Sequence, residues 1–166
     1  NRGVWQILES LVRLWVKDKD RGTVYVIIGS AFDRDNDGKR DPDASAKRMK
    51  SNNGKSRVAV PSHFYKIVLH QKSDGTVEAI SFLLPHDQTD LDGDATFQYL
   101  EQHIRSIEEI EAVAGLKFFP KVARERPDAA VAVEKARATS LWPFTGKRPT
   151  SLANSPQCKA TAGADR

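Results

Sequence analysis

The chain has 166 residues, with 26 Lys or Arg against 22 Asp or Glu, a formal net charge of +4, and 39% hydrophobic residues. This is the composition of one ordinary soluble domain with room for a tail. Charged residues interrupt every apolar run before it reaches the roughly 18 residues of a membrane-spanning helix, so a membrane protein is excluded. The single Cys158 cannot close an internal disulfide, and with four histidines it cannot build a cysteine-rich zinc module.

The charge is unevenly spread. Residues 121–166 hold nine Lys or Arg against four Asp or Glu, while residues 1–120 are close to neutral. A basic tail can draw a protein to polyanions, although such a run also serves simply as a solvated segment. The chain opens at Asn1 with no Met and no signal-peptide pattern, which reads as a piece of something longer whose compartment is not legible.

In chain order, GVWQILESLVRLWVK (3–17) puts Val4, Ile7, Leu8, Leu11, Leu14 and Trp15 on one side at helical spacing, which predicts an amphipathic helix. DKDRG (18–22) breaks it. The β-branched run from Thr23 to Phe32 predicts a mostly buried strand. A polar, irregular stretch follows from Asp33 to Arg57. Strands over 64–71 and 77–84, joined by Asp74-Gly75, form a hairpin. After the polar loop HDQTDLDGDA, residues 96–113 predict one or two short helices stopped by Gly115. Residues 127–138 are compatible with a helix, and from Ser140 onward the composition predicts disorder. The fold class is α+β, an antiparallel sheet of 23–32, 64–71 and 77–84 flanked by helices. The domain ends near residue 120, and 121–166 form a basic, partly disordered tail.

Several groupings could carry chemistry. On the first helix Asn1, Trp5, Glu9 and Arg13 recur every four residues, aligning an amide oxygen, a carboxylate and a guanidinium. That set suits a divalent metal beside an anionic oxygen. Spacing alone favours an exposed Glu9–Arg13 helix pair worth a few tenths of a kcal/mol. Trp5 and Leu8 read as core. In DRDNDGKRDPD, Asp33, Asp35, Asp37, Gly38, Asp41 and Asp43 have the alternation of a Ca²⁺ loop, but Ala44 stands where an EF-hand needs a bidentate acid. A looser Ca²⁺ site using Asp41 or Asp43, or a solvated insertion, are the two readings. Asp87, Asp90, Asp92 and Asp94 make a weaker version. Between these loops Lys47, Arg48, Lys50, Lys55 and Arg57 occur with no acid among them, a segment that could follow a phosphate backbone or remain a flexible loop. His63, His70, His86 and His103 each read as an exposed or partly packed imidazole.

In order along the chain, NRGVWQILE, VR, TVYVIIG, VAVPSHFYKIVL, AISFLLPH and SIEEIEAVAGLKFFP resemble the DNA/RNA non-specific endonucleases, the sugar-non-specific ββα-metal (His-Me finger) nucleases that include endonuclease G. The resemblance covers residues 1 to about 120 and corresponds to the second half of that domain. It implies Mg²⁺- or Mn²⁺-dependent hydrolysis of DNA and RNA, with Asn1 a direct metal ligand, Glu9 the holder of metal-bound water and Arg13 the contact to the phosphate near the cleavage point. It favours a secreted or periplasmic protein and leaves a homodimer open. The family's Asp-Arg-Gly-His motif, which carries the histidine that activates water, lies upstream of the asparagine and is absent here. The chain is therefore expected to lack its general base and to be inert alone. The rival readings are a non-catalytic nucleic-acid-binding domain and a Ca²⁺-stabilised interaction module.

Overall fold

A computed structural model describes residues 2–18, 21–50, 57–72, 74–87, 91 and 93–149. The elements are α1 (Arg2–Lys17), β1 (Val24–Ala31), β2 (Arg48–Lys50), β3 (Arg57–Ala59), β4 (His63–Gln71), β5 (Val77–Pro85), α2 (Gly93–Gln102), β6 (Ile104–Arg105), α3 (Ile107–Ala114), α4 (Pro120–Glu125) and α5 (Pro127–Lys135). An antiparallel sheet in the order β1-β4-β5-β6 lies between two helical layers, and β2 and β3 form a separate two-stranded ribbon. The α+β class and the three principal strands agree with expectation. Among the described residues, no helix is long and apolar enough to cross a membrane.

The β4–β5 hairpin follows from its turn chemistry. Gly75 takes φ +83°, open to a residue without Cβ, and Asp74 Oδ1 accepts from the Thr76 amide (2.8 Å) and hydroxyl (2.6 Å). The resulting register pairs His63 with Pro85 and Gln71 with Val77. With a period of two, Phe64, Lys66, Val68 and His70 point to one face of the sheet and His63, Tyr65, Ile67 and Leu69 to the other. On the first face α1 buries Val4, Ile7, Leu8, Leu11 and Trp15 against Val68, Ile80, Phe82 and Leu84, with Phe97 and Leu100 of α2 alongside. On the second, Ile107, Ile110 and Val113 of α3 cover Ala31, Tyr65, Ile67 and Leu69. Gly29 pairs with Tyr65, and a Cβ there would lie 2.2 Å from the Tyr65 hydroxyl, so only glycine lets that ring cross β1. Ser106 and Glu109 close a reciprocal cap at the start of α3, and Gly115 (φ +65°) ends it.

Three expectations change. The run from Thr23 to Phe32 forms a strand, but not a mostly buried one: among the described residues β1 pairs only with β4, and Tyr25, Val26 and Ile28 are exposed. A continuous apolar run is the same whether its strand is central or at an edge; what differs is the set of neighbours, which the strand's own residues do not encode. The polar stretch 33–57 is not wholly irregular, since β2 and β3 pair Arg48 with Ala59 and Lys50 with Arg57. Residues 140–149, expected to be disordered, form a strap across the α1–α2 face. Its Trp142 ring meets Trp15 edge-on at 5.4 Å, and its carbonyl accepts from Trp15 Nε1 (3.1 Å). Phe144 stacks on Phe97 at 6.3 Å, Leu141 N–H donates to Glu101, and Arg148 pairs with Asp94. The buried Arg21 guanidinium lies 4.8 Å over the Trp142 ring and donates to the Pro143 carbonyl. Three apolar anchors within a Pro-, Thr- and Gly-rich stretch outweigh its average composition.

Replacing Trp142 with Ala is expected to cost about 2 kcal/mol, below the roughly 3–5 kcal/mol lost at fully buried aromatics, because the ring is only half-buried. Chemical denaturation measures this; a loss near zero would return the strap to the class of solvated tail.

Candidate functional site

Helix α1 brings Trp5, Glu9 and Arg13 to one side, because residues four apart on a helix are neighbours. The indole Nε1 of Trp5 donates to Glu9 Oε1 at 3.0 Å. The same oxygen lies 3.8 Å from the ammonium of Lys66 on β4, and that ammonium also sits 4.3 Å over the Trp5 ring. Lys66 is 2% exposed, whereas the Glu9 side chain is 41% exposed. Burial pulls the Lys66 ammonium below its ordinary range; Glu9 opposes that shift, and the nearby Arg13 reinforces it. Arg13 is exposed. The expected Glu9–Arg13 ion pair is therefore replaced: among the described residues Glu9 pairs with Lys66, across the helix–sheet interface. Leu8 is core as expected, but Trp5 is half-buried and binds Glu9 directly.

The hard oxygens of a carboxylate and an amide fit a small divalent cation that keeps most of its waters. Here the carboxylate is outward-facing, and both its hydrogen bond and its ion pair fall on Oε1. Asn1 lies outside the described residues.

A second grouping forms where β1 ends. Carboxylate oxygens of Asp33, Asp35 and Asp37 lie within 4.8 Å of one another. Asp33 is buried and accepts the amides of Asp37 (3.1 Å) and Gly38 (3.2 Å); its own amide donates to Ser62 Oγ at 2.7 Å. Burial raises the Asp33 carboxyl above the usual range, against the pull of the Gly38 amide and of His63. Asp41 is not in this cluster: its Oδ2 accepts the Arg34 amide, and Asp43 pairs with Arg40. The expected four-carboxylate loop thus gathers three. Asp87 is exposed, Asp94 pairs with Arg148, and Asp90 and Asp92 lie outside the described residues.

The histidines divide. His86 is exposed, and His103 is half-buried with Nδ1 2.7 Å from the Tyr99 carbonyl. His63 and His70, however, are buried at 8% and 5% exposure. The alternation of β4 places them beneath the helical layers. His63 Nδ1 is 2.9 Å from Ser62 Oγ, and an open cavity of about 540 Å³ is lined by Asp33, His63, His103 and Arg105. None of the four histidines is bonded to Glu9 or Arg13.

Of the basic segment, Lys47 and Arg48 are exposed, and Arg48 donates to the Asp43 carbonyl. Lys55 and the side chains of Lys50 and Arg57 lie outside the described residues. Lys47 lines a cavity of about 580 Å³ with Arg34, Ser62, His63 and His86. His86 packs edge-on against Phe64 (4.8 Å), and Phe64 against Trp5 (6.1 Å), so a row of three rings links that cavity to α1.

Residues 1–125 match the family described as DNA/RNA non-specific endonuclease. The chain belongs to that family. It is 29% identical over 122 residues to mitochondrial endonuclease G of Homo sapiens, covering 74% of this chain and 37% of that protein. It is 31% identical over 124 residues to nuclease C1 of Cunninghamella echinulata var. echinulata, covering 74% of this chain and 44% of that protein. Among solved structures it is similar to a chain of an EndoG/EndoGI complex, with TM-score 0.48 and 26% identity over 76% of this chain and 47% of that one. The chain thus spans less than half the length of these relatives.

For this endonuclease-family chain, sequence reasoning missed Lys66. Its signal was legible: a lysine in the apolar strand HFYKIVLH, at a position whose alternation partners Phe64 and Val68 face α1. A charge in such a place calls for a partner across the interface.

Burial holds the His63 imidazole below its ordinary value of 6.5, with Asp33 opposing and His103 and Arg105 adding to the shift. The unfolded chain takes up this proton first as pH falls. The contribution of His63 to stability is therefore present above pH 6.5 and lost as pH drops from 6.5 toward the lowered folded value. Chemical denaturation across that window should show the loss, and His63→Gln should flatten it. An equal pH slope in the variant would assign the loss to other groups.

Proposed function

We propose that the intact protein is a metal-dependent nuclease that hydrolyses phosphodiester bonds of DNA and RNA without sequence preference, and that this chain carries its metal-ligand half. Family membership over residues 1–125 supports the class of chemistry. The observation that carries the site assignment is the Glu9 carboxylate, pinned through Oε1 by Trp5 and Lys66 while open to solvent, on the same helix as the exposed Arg13.

In this reading Asn1 and Glu9 would hold Mg²⁺ or Mn²⁺, Asn1 through its side-chain oxygen and Glu9 by accepting hydrogen bonds from the ion's water. A cation bound there would supply Lewis-acid stabilisation of the charge that builds on the phosphate and the leaving oxygen. Arg13 offsets that charge from the side, where a guanidinium can engage two phosphate oxygens at once. The proton of the attacking water would go to the histidine of the Asp-Arg-Gly-His motif, which the family resemblance places upstream of the asparagine and which this sequence does not contain. Lys47, Arg48, Lys50, Lys55 and Arg57 contact the phosphate backbone, with the Trp5–Phe64–His86 row between that segment and the cut. The three convergent carboxylates of Asp33, Asp35 and Asp37 would hold a structural Ca²⁺.

With the upstream half present, Asn1→Ala or Glu9→Ala should lower Mg²⁺-dependent cleavage far more than Gln6→Ala or Ser10→Ala on the same helix. Substantial activity in Asn1→Ala would remove the ligand assignment. The 1–166 chain alone should cut little, since a general base typically contributes about 10²–10⁴-fold, and the upstream half should restore cleavage. Robust plasmid degradation by the isolated chain, abolished by substituting one of its own histidines, would place the base within it.

Binding of a DNA duplex should weaken steeply with salt, and each of Lys47→Ala and Arg48→Ala should reduce the slope of log affinity against log salt by about one unit. An unchanged slope in both would return that segment to a solvated ribbon.

A further inference from the structure

Lys66 occupies a position where packing asks for an apolar side chain. It pairs with Ile28 of β1 and Phe82 of β5, it is 2% exposed, and Val68, its neighbour on the same face, lies in the core beneath α1. Replacing a buried ion pair by apolar groups of similar volume is often neutral or stabilising, so packing does not explain a lysine here. What the ammonium does touch is specific: the face of Trp5 at 4.3 Å and Glu9 Oε1 at 3.8 Å. Trp5 closes the triangle by donating from its ring edge to that same oxygen. The indole is held by its face and by its edge, and the carboxylate by one oxygen from two directions.

A glutamate on a helix surface ordinarily samples several rotamers. A carboxylate that must orient water cannot, because misplacement is expensive in any step that depends on alignment. We infer that Lys66 is the positioning residue of the Glu9 carboxylate, its ammonium seated on the Trp5 ring so that Glu9 presents its second oxygen outward to metal-bound water. This rests on the reading of Glu9 given above.

Two simpler roles make opposite forecasts. As a mere countercharge, Lys66 would repel a divalent cation, and its removal would tighten metal binding. As a mere packing element, its loss would lower stability and leave metal binding alone. Mn²⁺ binding to the full 166-residue chain, followed by electron paramagnetic resonance of the free ion, separates them, with melting temperature measured in parallel. Lys66→Met should keep or raise the melting temperature and weaken Mn²⁺ binding by about threefold to tenfold, at or below the usual effect of groups that orient a ligand. Lys66→Arg, which keeps a cation on the indole, should restore binding. Should the Met variant fail to fold, Lys66→Gln against Lys66→Arg carries the same comparison. Unchanged or tighter Mn²⁺ binding in a folded variant without the cation overturns the inference. Glu9→Gln is the control: if it leaves Mn²⁺ binding unchanged, or if the unmodified chain binds none, the reading of Glu9 fails. If Glu9→Gln weakens binding and Lys66→Met does not, the role of Lys66 alone fails.

Discussion

Burial of β4 on both faces sets the terms for everything else in the molecule. A strand covered on two sides needs apolar residues at most positions, and HFYKIVLHQ supplies Phe64, Tyr65, Ile67, Val68 and Leu69, with three buried interruptions, His63, Lys66 and His70, before the exposed Gln71. Each of these polar groups lies where water cannot serve it, so each must find its company within the protein. His63 finds Ser62 and the Asp33 loop on the α3 side, Lys66 finds Trp5 and Glu9 on the α1 side, and His70 lies beside Glu78 and Trp142. The polar geography of the protein is thus organised by one strand. The two groupings with chemical potential, the α1 carboxylate and the Asp33 turn, are served from opposite faces of it.

Much of the architecture is legible in the sequence. Helix α1 shows in the spacing of Val4, Ile7, Leu8, Leu11 and Trp15, the hairpin in Asp74-Gly75, and the end of α3 in Gly115, because each is governed by local periodicity or by one residue's permitted dihedrals. The edge character of β1, the pairing of β2 with β3 and the two-residue β6 were not, since each depends on which distant segment arrives beside it. The strap failed for another reason. Averaging composition over a Pro- and Thr-rich stretch dilutes Leu141, Trp142 and Phe144, and it takes only a few large rings meeting a receptive surface to order a segment.

The candidate site was half legible in the same sense. Periodicity aligned Trp5, Glu9 and Arg13 correctly on α1, but it could speak only about partners on the same helix, and so it offered Arg13 as the companion of Glu9. The actual cation arrives from the sheet, through a contact that spans the interface between two layers. Spacing in the Asp33–Asp43 loop likewise predicted convergence of alternate carboxylates, and Asp33, Asp35 and Asp37 do converge. It could not foresee that Asp41 would turn back to the Arg34 amide, because that bond is dictated by the fold of the turn around Asn36 and Gly38, both at positive φ.

The strap has a bearing on how the chain reaches this structure. Trp15, in a helix that precedes the sheet strands in the chain, is sealed by the Trp142 ring and hydrogen-bonded to its carbonyl. The sequence between them includes every strand among the described residues, so this contact closes a loop of 127 residues, at a corresponding cost in entropy. Helix α1 can pack on β4 and β5 as soon as the hairpin forms, but its Trp15 end stays uncovered while residues 141–144 are still in the exit tunnel. A segment made before the sheet is thus secured only after it, so the closing of this part of the core waits on residues 141–144.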